Sequence, residues 1–348
     1  MEQNRQECFG YTTAGESVTR YWLCNDTMQI GIINLGAAIQ SVIVHDRTGQ
    51  LVDVALGYDN PLAYETQAQF IGAIIGRYGN RIARSRFTLD GVEYLLPAND
   101  GRNHLHGGSG FHTRLWQGEL ESNKLMLQLV SPAGADGYPG TLHVDVCYTL
   151  TNKALEIHYR AYTDAPTLCN LTNHAYWNLA GHTTGAEAIA RHQICLPADY
   201  FTSIDSEAIP TGTLCPVEGT PLDLRKPIKM SAKWDSPYTQ IQNVGGYDHN
   251  YVLRGSIGTL HAAGQVYSPD SGIVMSVKTT LPGVQFYSGN SLANTPVGKD
   301  GTVYSRRSGF CLETQFYPDS IHHSAWPQAI LRPNEIWSHY TSYHFSTK

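Results

Sequence analysis

The chain has 348 residues, with 24 basic and 30 acidic side chains and a formal net charge of −6. This mildly acidic balance argues against nucleic-acid binding, which needs a cationic surface, and the apolar content of 41% excludes a disordered chain. No run approaches the roughly twenty apolar residues of a membrane span, so we expect no membrane partner.

Composition indicates the fold class and the compartment. Charged residues make up only 16% of the chain, while glycine and proline supply 33 and 17 residues, which favours turn-rich β structure. The opening residues lack the apolar core of a signal peptide, and the seven cysteines are scattered and odd in number. We therefore expect reduced thiols and a cytoplasmic location. The cysteines are Cys8, Cys24, Cys147, Cys169, Cys195, Cys215 and Cys311.

The first predicted elements are short strands and one short helix. Alternation of apolar and polar residues predicts strands at Gln40–His45 and Leu51–Leu56. A turn or two of helix is compatible with Asn60–Gln67. A hairpin is predicted at Phe87–Tyr94, because its central Asp90-Gly91 tolerates the positive φ of a type I′ turn.

Further along the chain, period-two patterning predicts a second hairpin from Leu142–Leu150 and Leu155–Arg160. The remaining elements are a strand at Leu125–Val130, a helical turn at Ser231–Asp235, and strands at Gly272–Thr279 and Val284–Tyr287. No linker or internal repeat divides the chain. We therefore predict an all-β fold with few short helices, a large antiparallel sandwich in which residues 1–348 form a single domain. The alternative is two β domains that meet near residue 170.

Familiar cofactor motifs are missing from the sequence. The glycines at Gly72, Gly76 and Gly79 do not have the GxGxxG spacing of a dinucleotide site. The run Gly107–Gly110 is not followed by the Lys-Ser/Thr of a P-loop, and neither GxSxG nor HExxH occurs. We therefore expect no cofactor.

Polar clusters embedded in apolar or glycine-rich segments are the candidate functional sites, because a buried polar group is costly unless it is paired or used. Glu313, in a strand-like apolar run, fits this description best. His104 and His106 share a strand face and are compatible with a metal pair, a structural role or substrate contact. His174 fits a core or a catalytic histidine equally well, and Asp248 fits a turn cap. The clusters are Gly76–Ile82, Asn103–Gly108, Asn170–Leu179, Gly245–Asn250 and Phe310–Gln315.

These clusters, taken in order, resemble the aldose 1-epimerase (galactose mutarotase) family. The matching blocks are GRYGNRIARSRFTLDG, NHLHGG, NLTNHAYWNLAG, GYDHNYVL, GVQFYSGN, and CLETQFYPDS with a trailing LRPNE, within about residues 70 to 335. The resemblance implies a galactose mutarotase-like β super-sandwich. It also implies an isomerase that interconverts the α and β anomers of a free aldose, D-galactose and/or D-glucose, without cofactor or metal.

Three alternatives accompany this interpretation. Some relatives act on maltose or on modified sugars, and the core blocks do not separate them. A non-catalytic carbohydrate-binding or regulatory protein is compatible with the same scaffold. A glycoside-cleaving enzyme would need two positioned carboxylates, which Glu313 and Asp248 would supply.

The resemblance also implies a role for individual residues. Glu313 matches the general base that takes the proton from the anomeric hydroxyl, and His174 matches the general acid that protonates the ring oxygen. His106 matches an auxiliary histidine that binds the sugar and shares the proton work. The positions that match sugar-binding residues are Asn80, Arg81, Tyr176, Asp248 and Gln285.

Acid–base ring opening sets the expected protonation state of the site. We expect mutual proximity to hold Glu313 ionised and His174 protonated at rest. Three departures from the family pattern, Gly79, His112 and Trp177, are expected to reshape the pocket rim. The expected partner is a small sugar, and the oligomeric state is left as monomer or homodimer.

Overall fold

The computed structural model describes residues 3–348. In this part of the chain all neighbouring strands pair antiparallel, and helices are few and short. The predicted all-β antiparallel fold is therefore confirmed.

The strands and helices have the following bounds. The strands are β1 (Arg5–Tyr11), β2 (Ser17–Cys24), β3 (Met28–Ile33), β4 (Ile39–His45), β5 (Leu51–Asp53), β6 (Ile74–Ile75), β7 (Arg81–Ile82), β8 (Arg86–Leu89), β9 (Val92–Leu95), β10 (His104–Leu105), β11 (Gln117–Glu121), β12 (Lys124–Ser131), β13 (Leu142–Leu150), β14 (Ala154–Thr163), β15 (Thr167–Leu168), β16 (Thr172–Asn173), β17 (Gln193–Cys195), β18 (Ala198–Ile204), β19 (Pro210–Pro216), β20 (Ile228–Lys229), β21 (Asp248–Leu253), β22 (His261–Tyr267), β23 (Ile273–Thr279), β24 (Gly283–Tyr287), β25 (Cys311–Gln315), β26 (Ile330–Leu331) and β27 (Trp337–Thr347). The helices are α1 (Pro61–Thr66), α2 (Gly185–Arg191) and α3 (Thr239–Val244), with 3-10 turns at Ala83–Ser85, Phe111–Thr113, Ala135–Gly137, Met230–Ala232, Lys299–Gly301 and Ser320–His322.

Most of these strands belong to three sheets, and the remaining strands form two-stranded pairs. One is nine-stranded, in the order β11-β12-β13-β14-β27-β23-β22-β17-β20, and two are five-stranded, β1-β2-β3-β4-β5 and β19-β18-β21-β24-β25. Apolar side chains from all three sheets, such as Ile30, Val144 and Phe201, belong to one hydrophobic cluster. This shared core agrees with the sandwich architecture. The organisation of residues 1–348 as a single domain stays a prediction.

The two predicted hairpins are present. Residues of β13 alternate between buried and half-buried, and Leu150 pairs with Leu155 where β13 turns into β14. In the shorter hairpin Leu89 pairs with Val92. The two turn residues between them, Asp90 and Gly91, have φ values of 50° and 82°, which is the conformation that an Asp-Gly turn favours.

The helical predictions are partly right. Helix α1 lies inside the predicted segment, and the side chain of Asn60 caps it by accepting a hydrogen bond from the Ala63 N–H. At Ser231–Asp235 the structure has only the end of a 3-10 turn, whereas α2 and α3 were not predicted. These two helices have six or seven residues, too few to show helical periodicity in a sequence. None of the described helices is long and apolar enough to cross a membrane.

The register of three neighbouring strands brings distant polar residues together. Strand β24 lies between β21 and β25, and Asn250, Gln285 and Glu313 are direct cross-strand neighbours. Two residues away, Asp248 lies opposite Tyr287 in the same way. Because cross-strand neighbours project from the same face of a sheet, this register gathers side chains from three strands on one surface.

A buried lysine joins the amino-terminal sheet to a distant loop. The Nζ of Lys299 donates to the carbonyl oxygens of Gln40 and Ala55 at 2.9 and 2.8 Å. It also pairs with Asp53 Oδ2 at 2.5 Å. Burial lowers the pKa of Lys299, and the charge of Asp53 opposes that shift. The lysine therefore remains in the interior because its partners replace the lost water.

Replacing Lys299 with alanine is expected to destabilise the protein strongly, because the buried carbonyls of Gln40 and Ala55 would lose their donor and the half-buried Asp53 would lose its cation. We expect the free energy of unfolding to fall by about 3–5 kcal/mol, measured by urea denaturation. Lys278→Ala, at an exposed position of β23, is the matched control and should change it by less than about 0.5 kcal/mol. Equal losses in the two variants would show that the buried ion pair has no special role.

Candidate active site

An open cavity of about 510 Å³ lies where the loops around β6, β7, β10 and β16 meet the surface of β21, β24 and β25. All but one of the sequence-predicted site residues line it: Asn80, Arg81, His106, His174, Tyr176, Asp248 and Glu313. The exception is Gln285, which lies beneath the cavity wall and donates from Nε2 to Asp248 Oδ1 at 2.6 Å. The sequence blocks therefore converge, and Gln285 supports a neighbouring carboxylate.

Glu313 lies in the middle of β25, whose residues are all buried. Its carboxylate Oε1 is 3.7 Å from Nε2 of His174. The other oxygen, Oε2, has no hydrogen-bond partner among the described residues. Burial raises the pKa of Glu313 well above its ordinary value, the charge of Asp248 raises it further, and Arg81 lowers it. A carboxyl group in this environment is a strong proton acceptor.

His174 follows β16 and is held by the backbone on one side and by a thiol on the other. Its N–H donates to the carbonyl of Ala73 at 2.8 Å, and its ring Nδ1 is 3.6 Å from Sγ of the buried Cys311. Burial lowers the pKa of His174 to about 4. The ring is therefore fixed with Nε2 toward Glu313, and it loses a proton readily.

His106 is fixed by a reciprocal pair of hydrogen bonds with Asn80. The His106 N–H donates to the Asn80 carbonyl at 3.1 Å, and the Asn80 N–H donates to Nδ1 of the His106 ring at 3.1 Å. Burial and the neighbouring His174 lower the pKa of His106 well below its ordinary value. At the following glycine, Gly107, a Cβ would lie 2.0 Å from the Gly76 carbonyl oxygen. The glycine thus allows the close backbone approach that holds this loop.

The sequence predicts an ionised Glu313 and a protonated His174 at rest, but the pKa shifts of both groups run the opposite way. Burial favours the neutral form of both groups, since it raises the pKa of Glu313 and lowers that of His174. Burial is the largest cause of both shifts. The resting site is therefore poised toward a protonated carboxyl group beside a neutral imidazole.

His104 does not share the cavity with His106, so the interpretation of these residues as a metal pair is wrong. Its ring Nδ1 donates to the Pro97 carbonyl at 2.7 Å, and its Nε2 is 2.8 Å from the hydroxyl of Tyr138. Both ring nitrogens are used in the interior of the protein. The structural alternative is confirmed for His104.

A different set of residues has the donor types of a metal site. His106, His174 and Glu313 each offer one ligand atom within 4.8 Å of the others. However, Nδ1 of His106 already accepts the Asn80 N–H, so the other nitrogen of the neutral ring carries the proton. This arrangement suits a hydrogen-bond donor better than a metal ligand. The absence of a metal from the working enzyme stays a prediction.

Arg81 and Asp248 also line the cavity and are the charged groups that act on Glu313. The Nε of Arg81 is 2.7 Å from Asp100 Oδ2, which holds the guanidinium in the cavity wall. Burial raises the pKa of Asp248, whereas Arg81 lowers it. A guanidinium and a carboxylate together offer donors and acceptors to vicinal hydroxyl groups.

Phe70 is a cavity residue that the sequence did not reveal. Its ring centroid is 4.7 Å from those of His106 and His112, and 5.9 Å from that of His174. It adopts a φ of 57°, which is uncommon for a bulky residue. The aromatic ring keeps water away from the histidines, and no motif in the sequence pointed to it.

The three departures from the family pattern have different locations. Trp177 packs against Tyr343 and Phe345 in the interior, and a Cβ at Gly79 would contact buried Thr172. Neither residue lines the cavity, so the expectation that they reshape its rim is wrong. His112 touches the site indirectly through Phe70.

Comparisons with known proteins show which family the chain resembles over its length. The family model described as aldose 1-epimerase matches residues 19–344. The chain is 43% identical over 335 residues to the galactose mutarotase of Rattus norvegicus, covering 96% of each protein. It is 37% identical to the aldose 1-epimerase of Escherichia coli strain K12, covering 92% of this chain and 93% of that protein. The crystal structure of galactose 1-epimerase from Lactobacillus acidophilus superposes with a TM-score of 0.86 at 25% identity, covering 100% and 99% of the two chains.

Removing the Phe70 ring is expected to raise the histidine pKa values. In Phe70→Ala, water reaches both imidazoles, so the pKa of His174 should rise from about 4 toward its ordinary value of 6.5. Titration of the histidine NMR signals measures this shift. Phe70→Leu keeps an apolar cover and should leave the value low. An unchanged His174 titration in Phe70→Ala would contradict this explanation of the low pKa.

Proposed function

Because the chain belongs to the aldose 1-epimerase family and is an isomerase that interconverts the anomers of an aldose, we propose that Glu313 and His174 perform its proton transfers. The observation that carries this assignment is the approach of Glu313 Oε1 to His174 Nε2 at 3.7 Å, with both side chains almost fully buried at the cavity wall. Glu313 acts as the general base and His174 as the general acid.

The reaction needs one proton removed and one supplied. Glu313 takes the proton of the hydroxyl on C1 while His174 gives its Nε2 proton to the ring oxygen. The bond between C1 and the ring oxygen breaks, and C1 becomes a free aldehyde. After the aldehyde rotates about the C1–C2 bond, the ring oxygen attacks its other face. The two protons return, so that atoms and charges balance.

Burial of the pair favours the ring-opened state of the sugar. One proton first passes from the carboxyl group of Glu313 to His174. The cyclic sugar then reacts with the ionised Glu313 and the protonated His174, and opening leaves both groups neutral again. The raised pKa of Glu313 and the lowered pKa of His174 both favour that neutral product state. Burial thus makes the carboxylate a stronger base and the imidazolium a stronger acid than either would be in water.

His106 has the role of a fixed hydrogen-bond donor in this proposal. Its Nδ1 accepts the Asn80 N–H, so the ring cannot take a second proton without losing that bond. Its Nε2–H would orient the sugar oxygen at the reacting centre. This role is narrower than the shared proton work that the resemblance implied.

The proposed substrate is free D-galactose and/or D-glucose. Arg81 and Asp248 offer charged hydrogen-bond partners to the ring hydroxyls, and Tyr176 and Asn80 complete the wall. Gln285 acts on the sugar through Asp248, to which it donates. Epimerisation of maltose or of a modified sugar is the alternative. A relative that is 43% identical to this chain is named galactose mutarotase, which favours a free hexose over maltose or a modified sugar as the substrate.

We further propose a cytoplasmic location and a reaction without cofactor. The cysteine pattern supports a reducing compartment; the thiols of Cys169 and Cys311, for example, are both buried. The acid–base chemistry requires no redox change or electrophilic metal. Both a monomer and a homodimer are compatible with the proposal, since residues of one chain complete the cavity.

Substitution of either proton-transfer residue is expected to remove turnover and spare binding. We expect Glu313→Gln and His174→Asn each to lower kcat by about 10²–10⁴-fold. Polarimetry on freshly dissolved α-D-galactose measures turnover after subtraction of the spontaneous rate, and ligand-observed NMR measures binding. His158→Gln, at an exposed histidine of β14, is the control. Wild-type turnover in Glu313→Gln would refute the assignment, and binding of sugar by a wild type without acceleration would indicate a carbohydrate-binding protein.

A further inference from the structure

Both nitrogens of the His174 ring are contacted by side chains of one strand. Nε2 is 3.7 Å from Glu313 Oε1, and Nδ1 is 3.6 Å from Cys311 Sγ. Cys311 and Glu313 are alternate residues of β25, so their side chains project from the same face of the sheet. The proposed proton transfers use Glu313 and leave the thiol without a role.

Backbone hydrogen bonds fix the thiol beside the ring. Phe310, which precedes Cys311, exchanges two such bonds with Trp177, at 2.8 and 3.0 Å. The carbonyl of His174 accepts the Gly72 N–H at 3.0 Å. Strand β25 and the segment that follows β16 are therefore joined through their main chains, and the contact does not depend on the side chains alone.

The thiol of Cys311 lies outside the cavity and keeps its proton. Cys311 is fully buried and is not among the residues that line the active-site cavity. Burial raises the pKa of its thiol well above the ordinary value, and the charges of Glu313 and Asp248 raise it further. A buried, protonated thiol is a poor nucleophile. Its effect on the reaction therefore passes through His174.

A hydrogen bond between a thiol and a neutral imidazole can run in two directions. If the S–H of Cys311 donates to Nδ1, the single proton of the ring lies on Nε2. If Nδ1–H donates to the sulfur, Nε2 is bare and can accept a proton. The proposed reaction needs the second direction, because Nε2 of His174 must take a proton from Glu313 before it gives one to the sugar.

The main chain of His174 favours the same direction. Burial is the main cause of the low pKa of His174, and a hydrogen bond with the backbone carbonyl of the same residue opposes it by raising the pKa. A carbonyl oxygen can only accept, so a ring N–H must face it. Nδ1 is the ring nitrogen nearer to the main chain of its own residue. The carbonyl therefore favours a proton on Nδ1, which the sulfur then accepts.

We infer that Cys311 is a positioning residue for the general acid: its sulfur accepts the Nδ1–H of His174, which leaves Nε2 free to exchange a proton with Glu313. This inference rests on the proposed function and deepens it. When Glu313 protonates the ring, its O–H bond breaks and an Nε2–H bond forms. Opening of the sugar ring then breaks the Nε2–H bond, and the Nδ1–H bond persists throughout.

The position of the proton on the resting His174 ring tests the inference in the wild type. In protein labelled with ¹⁵N-histidine, the chemical shifts of the ring nitrogens distinguish a protonated nitrogen from a bare one. Near neutral pH the ring is neutral, since burial lowers the pKa of His174 to about 4, and the signals missing from His174→Asn identify it. We expect a protonated Nδ1 and a bare Nε2. A protonated Nε2 with a bare Nδ1 would overturn the inference.

Loss of the thiol is expected to lower turnover and spare binding. In Cys311→Ala part of the molecules should carry the ring proton on Nε2, and kcat should fall by about 3–10-fold. The KM for galactose should not change, because Cys311 does not line the cavity. Polarimetry measures both constants. Cys169→Ala removes another buried thiol that does not line the cavity, and this matched control should change neither constant.

The outcomes separate the inference from the proposed function. An unchanged proton position and kcat in Cys311→Ala would overturn the inference. An equal loss of kcat in Cys169→Ala would also overturn it, since the loss would then reflect packing. Absence of turnover by the wild type would instead refute the proposed function, whereas the NMR measurement needs no turnover.

Discussion

Burial of one carboxyl–imidazole pair governs the chemistry of the cavity, and the surrounding strands and loops maintain that burial. In water, Glu313 and His174 at 3.7 Å would form an ion pair. In this cavity, burial shifts both pKa values toward the neutral forms. The same pair of groups passes through both charge states when an aldose ring opens and closes. The fold therefore stabilises the charge state that accompanies the open sugar.

Sheet register and loop packing maintain this environment. Glu313 lies in a fully buried strand, and its cross-strand neighbour Gln285 donates to Asp248 below the cavity wall. The backbone of Asn80 fixes the tautomer of His106, and Phe70 covers both histidines. One five-stranded sheet supplies Glu313 and Asp248, whereas Arg81 lies in the short strand β7 and the two histidines follow the short strands β10 and β16. Each contribution is needed because one strand alone cannot surround a pyranose ring.

Features with local causes could be predicted from the sequence. The Asp90-Gly91 turn depends on the two residues that form it, and the alternation of β13 follows from burial of one sheet face. Features with long-range causes were missed. The separate location of His104 depends on Pro97 and Tyr138, the cover provided by Phe70 depends on loops that meet only in the fold, and the neutral Glu313–His174 pair depends on the depth of burial. The sequence blocks predicted which residues converge. The protonation states of Glu313 and His174 could be inferred only from the groups that surround them in the fold.

Infrared spectroscopy of Glu313 reports whether its carboxyl group is protonated at rest. The enzyme would be labelled with ¹³C-carboxyl glutamate and compared with Glu313→Gln, without sugar, one pH unit above the ordinary glutamate pKa of 4.5. We expect a protonated carboxyl C=O band in the wild type that the variant lacks, because burial raises the pKa of Glu313 well above that value. A difference spectrum that contains only a carboxylate band would contradict this expectation, since Glu313 would then rest ionised.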